Sequence, residues 1–110
     1  MYTQWSGSVA TPEVVDDGQR AGDRTHTVGA ASSIYIANGA PVIAYQDGLR
    51  ADVYLAAKSG ATWITNPIAA TPLLDGFSIA ATTGHGTPYV AWGALDPSAA
   101  PLGTLVVETR

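Results

Sequence analysis

The chain has 110 residues, which suffices for one small domain with a modest hydrophobic core. Hydrophobic residues make up 46% of it, which excludes a disordered polymer, and cysteine is absent, which excludes disulfides and thiolate metal sites. The net charge of −4, with only five scattered Lys and Arg, argues against nucleic acid or an anionic membrane surface as a partner. Low charge together with 12 Gly and 7 Pro favours an all-β fold.

Nothing in the chain reads as a membrane or export signal. No apolar run approaches the ~20 residues that a membrane-spanning helix needs. The segment from Met1 to Trp5 is not a basic stretch followed by an apolar one, so we expect no signal peptide. The compartment stays open, because a cysteine-free chain tolerates oxidising and reducing surroundings and its parent protein could be secreted.

The first half of the chain predicts five strands. A short Trp-led strand runs from Trp5 to Ala10, and a polar loop rich in Gly and Asp follows over residues 13–27. Further strands are predicted for Val28–Ala37, Pro41–Gln46 and Asp52–Ala57, with a type I′ hairpin turn at Asn38-Gly39 between the first two. A second Trp-led strand begins at Thr62, and Pro67 predicts that it lies at a sheet edge, since proline cannot donate to a ladder.

The second half predicts three strands. They are Phe77–Thr83, Pro88–Trp92 and Gly103–Thr109, with Gly84-His85-Gly86 as a hairpin turn and a longer loop over residues 93–102. We expect no helix, because the only helix-tolerant run, residues 53–58, is too short to stand alone.

An internal repeat organises these strands. The segment Gly39–Tyr45 recurs 47 residues later as Gly86–Trp92, and Trp5 recurs as Trp63. Each copy is a four-stranded antiparallel meander, which is typical of β-propeller blades. The second copy lacks its Trp-led strand, and an additional Trp-led strand lies at the N-terminus. We therefore expect a permuted chain: residues 1–10 complete a neighbour's blade, residues 11–70 form the first blade with its long loop, and residues 71–110 form three strands of the second.

The permutation predicts self-assembly. A strand donated from one chain to the next makes a heterologous contact, which closes into a ring or continues as a filament. Two blades per chain allow rings of four, six or eight blades, and we prefer a trimer with six blades, then a tetramer with eight.

The motif from Asn38 to Asp47, with Asp52–Ala56 and Trp63 behind it, resembles bacterial β-propeller repeats. These repeats have the pattern Asn-Gly-x-Pro, Tyr-x-Asp and Gly-x-x-Trp. The stretch Asp23–Ala30 is similar to the start of blades in uncharacterised proteins, myxobacterial ones among them. The second copy departs from the pattern, since Ala94 replaces the aspartate. The resemblance implies a fold and no single activity.

Candidate functional residues lie in the long loops, where a rigid scaffold usually carries function. The turn around His85 and the Asp-Gly pairs read as structural turns, and the calcium-loop spacing is absent. We expect no metal, no cofactor and no catalytic group, because no nucleophile motif accompanies the Asp23–His26 pair. Any specific ligand should touch one of seven residues: Arg20, Asp23, Arg24, His26, Asp47, Arg50 and Asp96.

Three functions follow as hypotheses. The first is a non-enzymatic propeller module that assembles into a ring and serves as a scaffold or binding surface for a protein or glycan, with a fragment cut from a larger propeller as a variant of it. The second is a lectin that binds sugars on tryptophans between blades, with Trp5, Trp63 and Trp92 as candidates. The third is a hydrolase or lyase that uses the loop around His26.

Overall fold

The computed structural model describes residues 1–4, 7, 11–99 and 103–110, and their regular structure is entirely β. A first sheet contains β1 (Val28–Ala37), β2 (Ala40–Asp47), β3 (Asp52–Ser59) and β4 (Thr62–Ala69), in that spatial order. A second sheet contains β5 (Leu74–Gly84), β6 (Thr87–Leu95) and β7 (Gly103–Thr109). All neighbouring strands are antiparallel, which confirms the all-β prediction. The described residues include no helix that is long and apolar enough to cross a membrane.

The strand boundaries follow the sequence closely. Strands β1 and β7 have the predicted bounds, and β4 starts at Thr62 and lies at the edge of its sheet, as Pro67 requires. Strand β5 begins three residues earlier than predicted, because Gly76 and Ser78 take positive φ angles of 92° and 53° and the pairing register shifts there. Such bulges let a strand continue through residues that look like a turn. The predicted strand from Trp5 to Ala10 lies outside the described residues, apart from Gly7.

The hairpin turns have the predicted chemistry. Asn38 and Gly39 both have positive φ, at 51° and 76°, which is the requirement of a type I′ turn. His85 and Gly86 repeat this geometry in the second sheet, at 50° and 78°. The turn interpretation of His85 is therefore confirmed, since histidine tolerates this left-handed conformation.

The strand register confirms the sequence repeat. Ser33 lies opposite Ala44 in the first hairpin, and Ala80 lies opposite Ala91 in the second, both 47 residues further along. The pairing between the second and third strands differs between the two sheets, because the β6–β7 loop is longer than the β2–β3 loop. Tyr45 faces Tyr54 across β2 and β3, whereas Trp92 faces Val106 across β6 and β7.

The hydrophobic core lies between the two sheets. Alternation along each strand gives every sheet an inner face toward the other sheet and an outer face away from it. The inner face of the first sheet supplies buried Tyr35, Val42 and Ala44, and that of the second sheet supplies buried Val90 and Trp92. Packing of these two faces is what positions the loops at the sheet ends.

Polar contacts fix the two sheets against each other. The backbone N–H of Ala81 donates to Ser33 Oγ at 2.9 Å, and Thr83 Oγ1 donates to the carbonyl of Ile36 at 3.0 Å. At the other end of the strands, Gln46 Nε2 donates to the carbonyl of Asp75 at 2.8 Å. These contacts join β1 and β2 to β5, so the relative placement of the sheets is specific.

Candidate functional site

A charged network lies where the first loop, defined as residues 11–27, crosses the end of the first sheet. The first residue of this network along the chain is Asp16. Its carboxylate accepts two hydrogen bonds from Arg20, at 3.0 and 2.9 Å, one from the Tyr45 hydroxyl at 2.6 Å and one from the Gly18 backbone at 2.8 Å. Burial alone would raise the pKa of Asp16, but these donors outweigh it and lower the pKa to about 2. Asp16 is therefore a structural anion at neutral pH.

His26 is the centre of the network. Its Nδ1 contacts Asp47 Oδ2, and its Nε2 lies 3.2 Å from Asp23 Oδ2. Only 1% of the His26 side chain is exposed, and Asp47 is fully buried. The hydrogen bond with Asp47 raises the pKa of His26 more than burial lowers it, and Asp23 adds to the rise. Two carboxylates on one ring favour the imidazolium, which donates from both nitrogens.

The same network closes the loop onto the β2–β3 turn. Asp47 accepts hydrogen bonds from the backbone N–H groups of Leu49 and Arg50, at 3.1 and 3.4 Å. The Arg50 guanidinium pairs with Asp23, and this pairing is the main reason that the pKa of Asp23 is lowered. A carboxylate that accepts successive backbone donors orders a turn, so Asp47 has a local structural role in addition to its contact with His26.

The loop backbone approaches itself closely beside the histidine. The backbone N–H of His26 donates to the carbonyl of Gly18 at 2.8 Å. Gly18 has a φ of +77°, and a Cβ on it would lie 2.1 Å from the carbonyl oxygen of His26. Only glycine satisfies both conditions. The conformation that places His26 between its two carboxylates therefore depends on this residue.

The second sheet contains a smaller counterpart of the network. Trp92 occupies the repeat position of Tyr45, and its Nε1 donates to Asp75 Oδ1 at 3.0 Å in the buried core. Thr71 Oγ1 donates to the other oxygen of Asp75 at 2.7 Å. In both sheets, an aromatic side chain on the second strand thus donates to an aspartate at or before the start of the first strand. To this shared plan the first loop adds Arg20, Asp23 and His26, and the end of β2 with the following turn adds Asp47 and Arg50.

The chain matches no family model, no curated protein and no solved structure. The site is therefore interpreted from its own geometry.

Five of the seven residues that the sequence predicts to contact a ligand form one cluster. Arg24 lies beside this cluster, where it is exposed and its backbone N–H donates to Asp23 Oδ1 at 2.8 Å. Asp96 lies in the turn after β6 and accepts hydrogen bonds from the backbone and hydroxyl of Ser98, which lower its pKa. The clustered residues are Arg20, Asp23, His26, Asp47 and Arg50.

Sequence reasoning missed the polar roles of three residues. The sequence pattern indicates a turn at Asp16 and a packing role for Tyr45, and it does not single out Asp75. One signal could have found them, because a buried Tyr or Trp usually needs a partner for its polar hydrogen. Tyr45 and Trp92 share one repeat position, so each predicts an acceptor near the start of its own sheet.

The contacts of this network are those of a structural ion cluster. Both ring nitrogens of His26 are engaged, and the side chain is almost completely covered, so it presents no free nitrogen to a substrate. No group of three or more metal-ligating side chains occurs among the described residues. The arrangement is what a structural clamp for the first loop requires.

Proposed function

We propose that this chain is a non-enzymatic β-propeller module that assembles with copies of itself into a closed ring and serves as a scaffold or binding surface. The two sheets would be consecutive blades of that ring. The proposal is supported by the shared hairpin register of the two sheets and by their face-to-face packing. Repeats of this kind bury their apolar faces against neighbouring repeats. In a pair of sheets, each sheet buries only one of its two faces in this way.

The observation that carries this proposal is the outer edge of β7. In the first sheet the corresponding strand, β3, lies between β2 and β4. In the described part of the chain, β7 pairs only with β6. Its Leu105 and Val107 are 74% and 58% exposed. An open and apolar strand edge readily pairs with another chain.

A segment of this sequence suits that edge. Residues 5–10 begin with the same Trp-led pattern as β4, the strand that covers β3 in the first sheet. Pairing of this segment with β7 of another copy would give the second sheet its fourth strand. The contact is heterologous, so a closed ring contains a whole number of chains. A trimer with six blades is preferred, and a tetramer with eight blades comes next.

Two N-terminal deletions test the proposal. Removal of residues 1–10 should abolish assembly, because it removes the donated strand. Removal of residues 1–4 is the matched control, since it deletes the bridge between Tyr2 and Glu13 and leaves the Trp-led segment intact. Native mass spectrometry and light scattering at micromolar concentration would measure the mass. A folded monomer of the full chain, or normal assembly without residues 1–10, would refute the proposal.

A sugar-binding function is a second candidate, and one observation favours it. A mainly polar cavity of about 340 Å³ is lined by the first loop and by Trp63, together with Gln19 and Arg20. An aromatic face beside polar side chains is what a hydroxyl-rich ligand requires. Trp92 is buried and cannot contribute. In a glycan array, Trp63→Ala should abolish binding; absence of binding by the assembled wild-type protein would contradict this candidate.

A further inference from the structure

Each sheet has one face that is covered by the other sheet and one outer face that carries exposed apolar side chains, although the first loop covers Tyr45 on the outer face of the first sheet. The outer face of the first sheet exposes Ile34 and Ile36, which are 51% and 56% accessible. The outer face of the second sheet exposes Phe77, Leu105 and Val107. Exposed apolar surface on both sides of a two-layer molecule indicates contact with another molecule.

The outer face of the second sheet corresponds to the inner face of the first. At the repeat offset of 47 residues, Ala91 takes the position of Ala44, and Gly93 that of Gln46. Strand register extends the correspondence, because Leu105 faces Gly93 just as Val53 faces Gln46. The face that the second sheet covers within one chain is therefore present again, uncovered, on the second sheet itself.

The outer face of the first sheet corresponds in turn to the inner face of the second. Ile34 takes the position of Ala81, and Ile43 takes the position of Val90. Asp47 stands where Ala94 lies, and His26 and the first loop cover this carboxylate. Lys58, a further charged residue of this face, is paired with Glu13. Each uncovered face thus repeats one half of a contact that the chain already makes internally.

We propose that the outer face of the second sheet docks on the outer face of the first sheet of a second copy, in the geometry of the sheet contact within one chain. The occupant is a second copy because the internal contact supplies both halves of the interface. This inference rests on the proposed ring, and it goes further by naming the surfaces and their register. Strand donation at the β7 edge could occur without such docking.

The register of the docked faces follows from the internal contact. Within one chain, Ser33 of the first sheet meets Ala81 of the second. Between copies, the equivalent pair is Ala80 of one chain and Ile34 of the other. The hydrogen bond to Ser33 Oγ is lost there, because Ala80 has no hydroxyl, and an apolar contact replaces it. The interface between copies is consequently more hydrophobic than the contact within a chain.

A cavity in the outer face of the second sheet fits this arrangement. It has a volume of about 360 Å³ and lies between Phe77, Gly93 and Leu105. Gly93 has no side chain at the position that Gln46 occupies on the first sheet, and Phe77 packs closely beside it. The first loop of the docked copy lies at this end of the interface. It is longer than the segment that precedes β5, and the cavity provides room for it.

Engineered cysteines test the register directly, since the natural chain has none. A chain with Ala80→Cys is mixed with a chain with Ile34→Cys and oxidised. Docking brings the two thiols within disulfide distance, so a covalent dimer should form in high yield. The matched control replaces Ile34→Cys by Ile64→Cys, which is similarly exposed but lies on β4, the strand farthest from β1. The control should give at least tenfold less dimer.

A charge pair provides a second readout that needs no disulfide geometry. Ala80→Glu alone and Ile34→Lys alone should each shift the protein toward monomer, because each buries an unpaired charge in the interface. The double variant with Ala80→Glu and Ile34→Lys in one chain should recover assembly, since Glu and Lys then meet at every contact of a ring with any number of chains.

The possible results distinguish failure of the docking proposal from failure of the ring proposal. If the wild-type chain is monomeric, both the ring and the docking are wrong. If it assembles but Ala80→Cys and Ile34→Cys link no better than the control, and the charge variants assemble normally, the docking is refuted and the strand-donated ring is not. Preferential linkage together with recovery of assembly in the double variant is the result that the docking predicts.

Discussion

Replacing the two repeat-equivalent aromatic residues with phenylalanine should have very different costs. Trp92→Phe removes the donor to Asp75 and leaves a smaller ring in a fully packed core. Loss of a buried hydrogen bond to a charged group costs about 1.5–3 kcal/mol. The missing ring atoms cost about 1–2 kcal/mol more. We expect the free energy of unfolding to fall by about 3–4 kcal/mol, a large share of the ~5–15 kcal/mol that stabilises a small domain.

Tyr45→Phe is the matched variant and should cost about 1 kcal/mol. The ring keeps its size, so no cavity forms, and only the hydroxyl that donates to Asp16 is lost. Asp16 keeps its hydrogen bonds from Arg20 and the Gly18 backbone, so its charge stays compensated. Asp75, in contrast, would keep only the donor Thr71 among its described side-chain partners.

Urea unfolding followed by far-UV circular dichroism measures both variants, because tryptophan fluorescence would change with Trp92 itself. Protein concentration must be constant, since assembly contributes to apparent stability. A double-mutant cycle of Trp92→Phe and Asp75→Ala isolates the hydrogen bond, because each single variant removes it, and a coupling below about 0.5 kcal/mol would show that it contributes little. Equal losses of stability for Trp92→Phe and Tyr45→Phe would refute the reasoning, because the buried donor to Asp75 and the larger ring would then add nothing to the cost.

Two further predictions concern the first loop. Gly18→Ala should destabilise the protein by about 1–2 kcal/mol more than Gly22→Ala, since both have positive φ but only Gly18 would clash with the carbonyl of His26; equal urea midpoints would contradict this. The imidazolium of His26 has a raised pKa, so its stabilising effect is fully present below the unfolded-state pKa of ~6.5 and is lost as pH rises through the folded-state pKa. The gap in unfolding free energy between wild type and His26→Gln should therefore shrink as pH rises above ~6.5 and through the raised folded-state pKa, and a constant gap would show that the histidine acts without its charge.

Several local features were readable in the sequence because they depend on neighbouring residues alone. Asn38-Gly39 specifies its turn through the φ angles it tolerates, and Pro67 specifies an edge strand through its missing N–H. The recurrence of Gly39–Tyr45 as Gly86–Trp92 likewise predicted two equivalent hairpins, and their registers agree in the part next to the turns. In each case the determining physics spans a few residues or an exact repeat, and the sequence displays both.

The site required the tertiary structure. His26 lies 21 residues from Asp47, and Tyr45 lies 29 residues from Asp16, so no local pattern joins them. The side chains of a loop contact whichever residues the fold brings near them. The contact of residues 16–26 with the end of β2 therefore depends on how the loop crosses the sheet. The seven predicted ligand residues were selected for lying in long loops, and this criterion could not separate the clustered Asp47 from the isolated Asp96.

What the sequence alone determined is therefore the all-β class, the hairpins and the repeat, because period-two alternation and turn chemistry are properties of short segments. The tertiary structure decided which face of each sheet is covered, since burial depends on the packing of two sheets that are remote along the chain. It also decided that His26 is enclosed between carboxylates, because both of its ring nitrogens find their partners only after the first loop has folded over the strand ends.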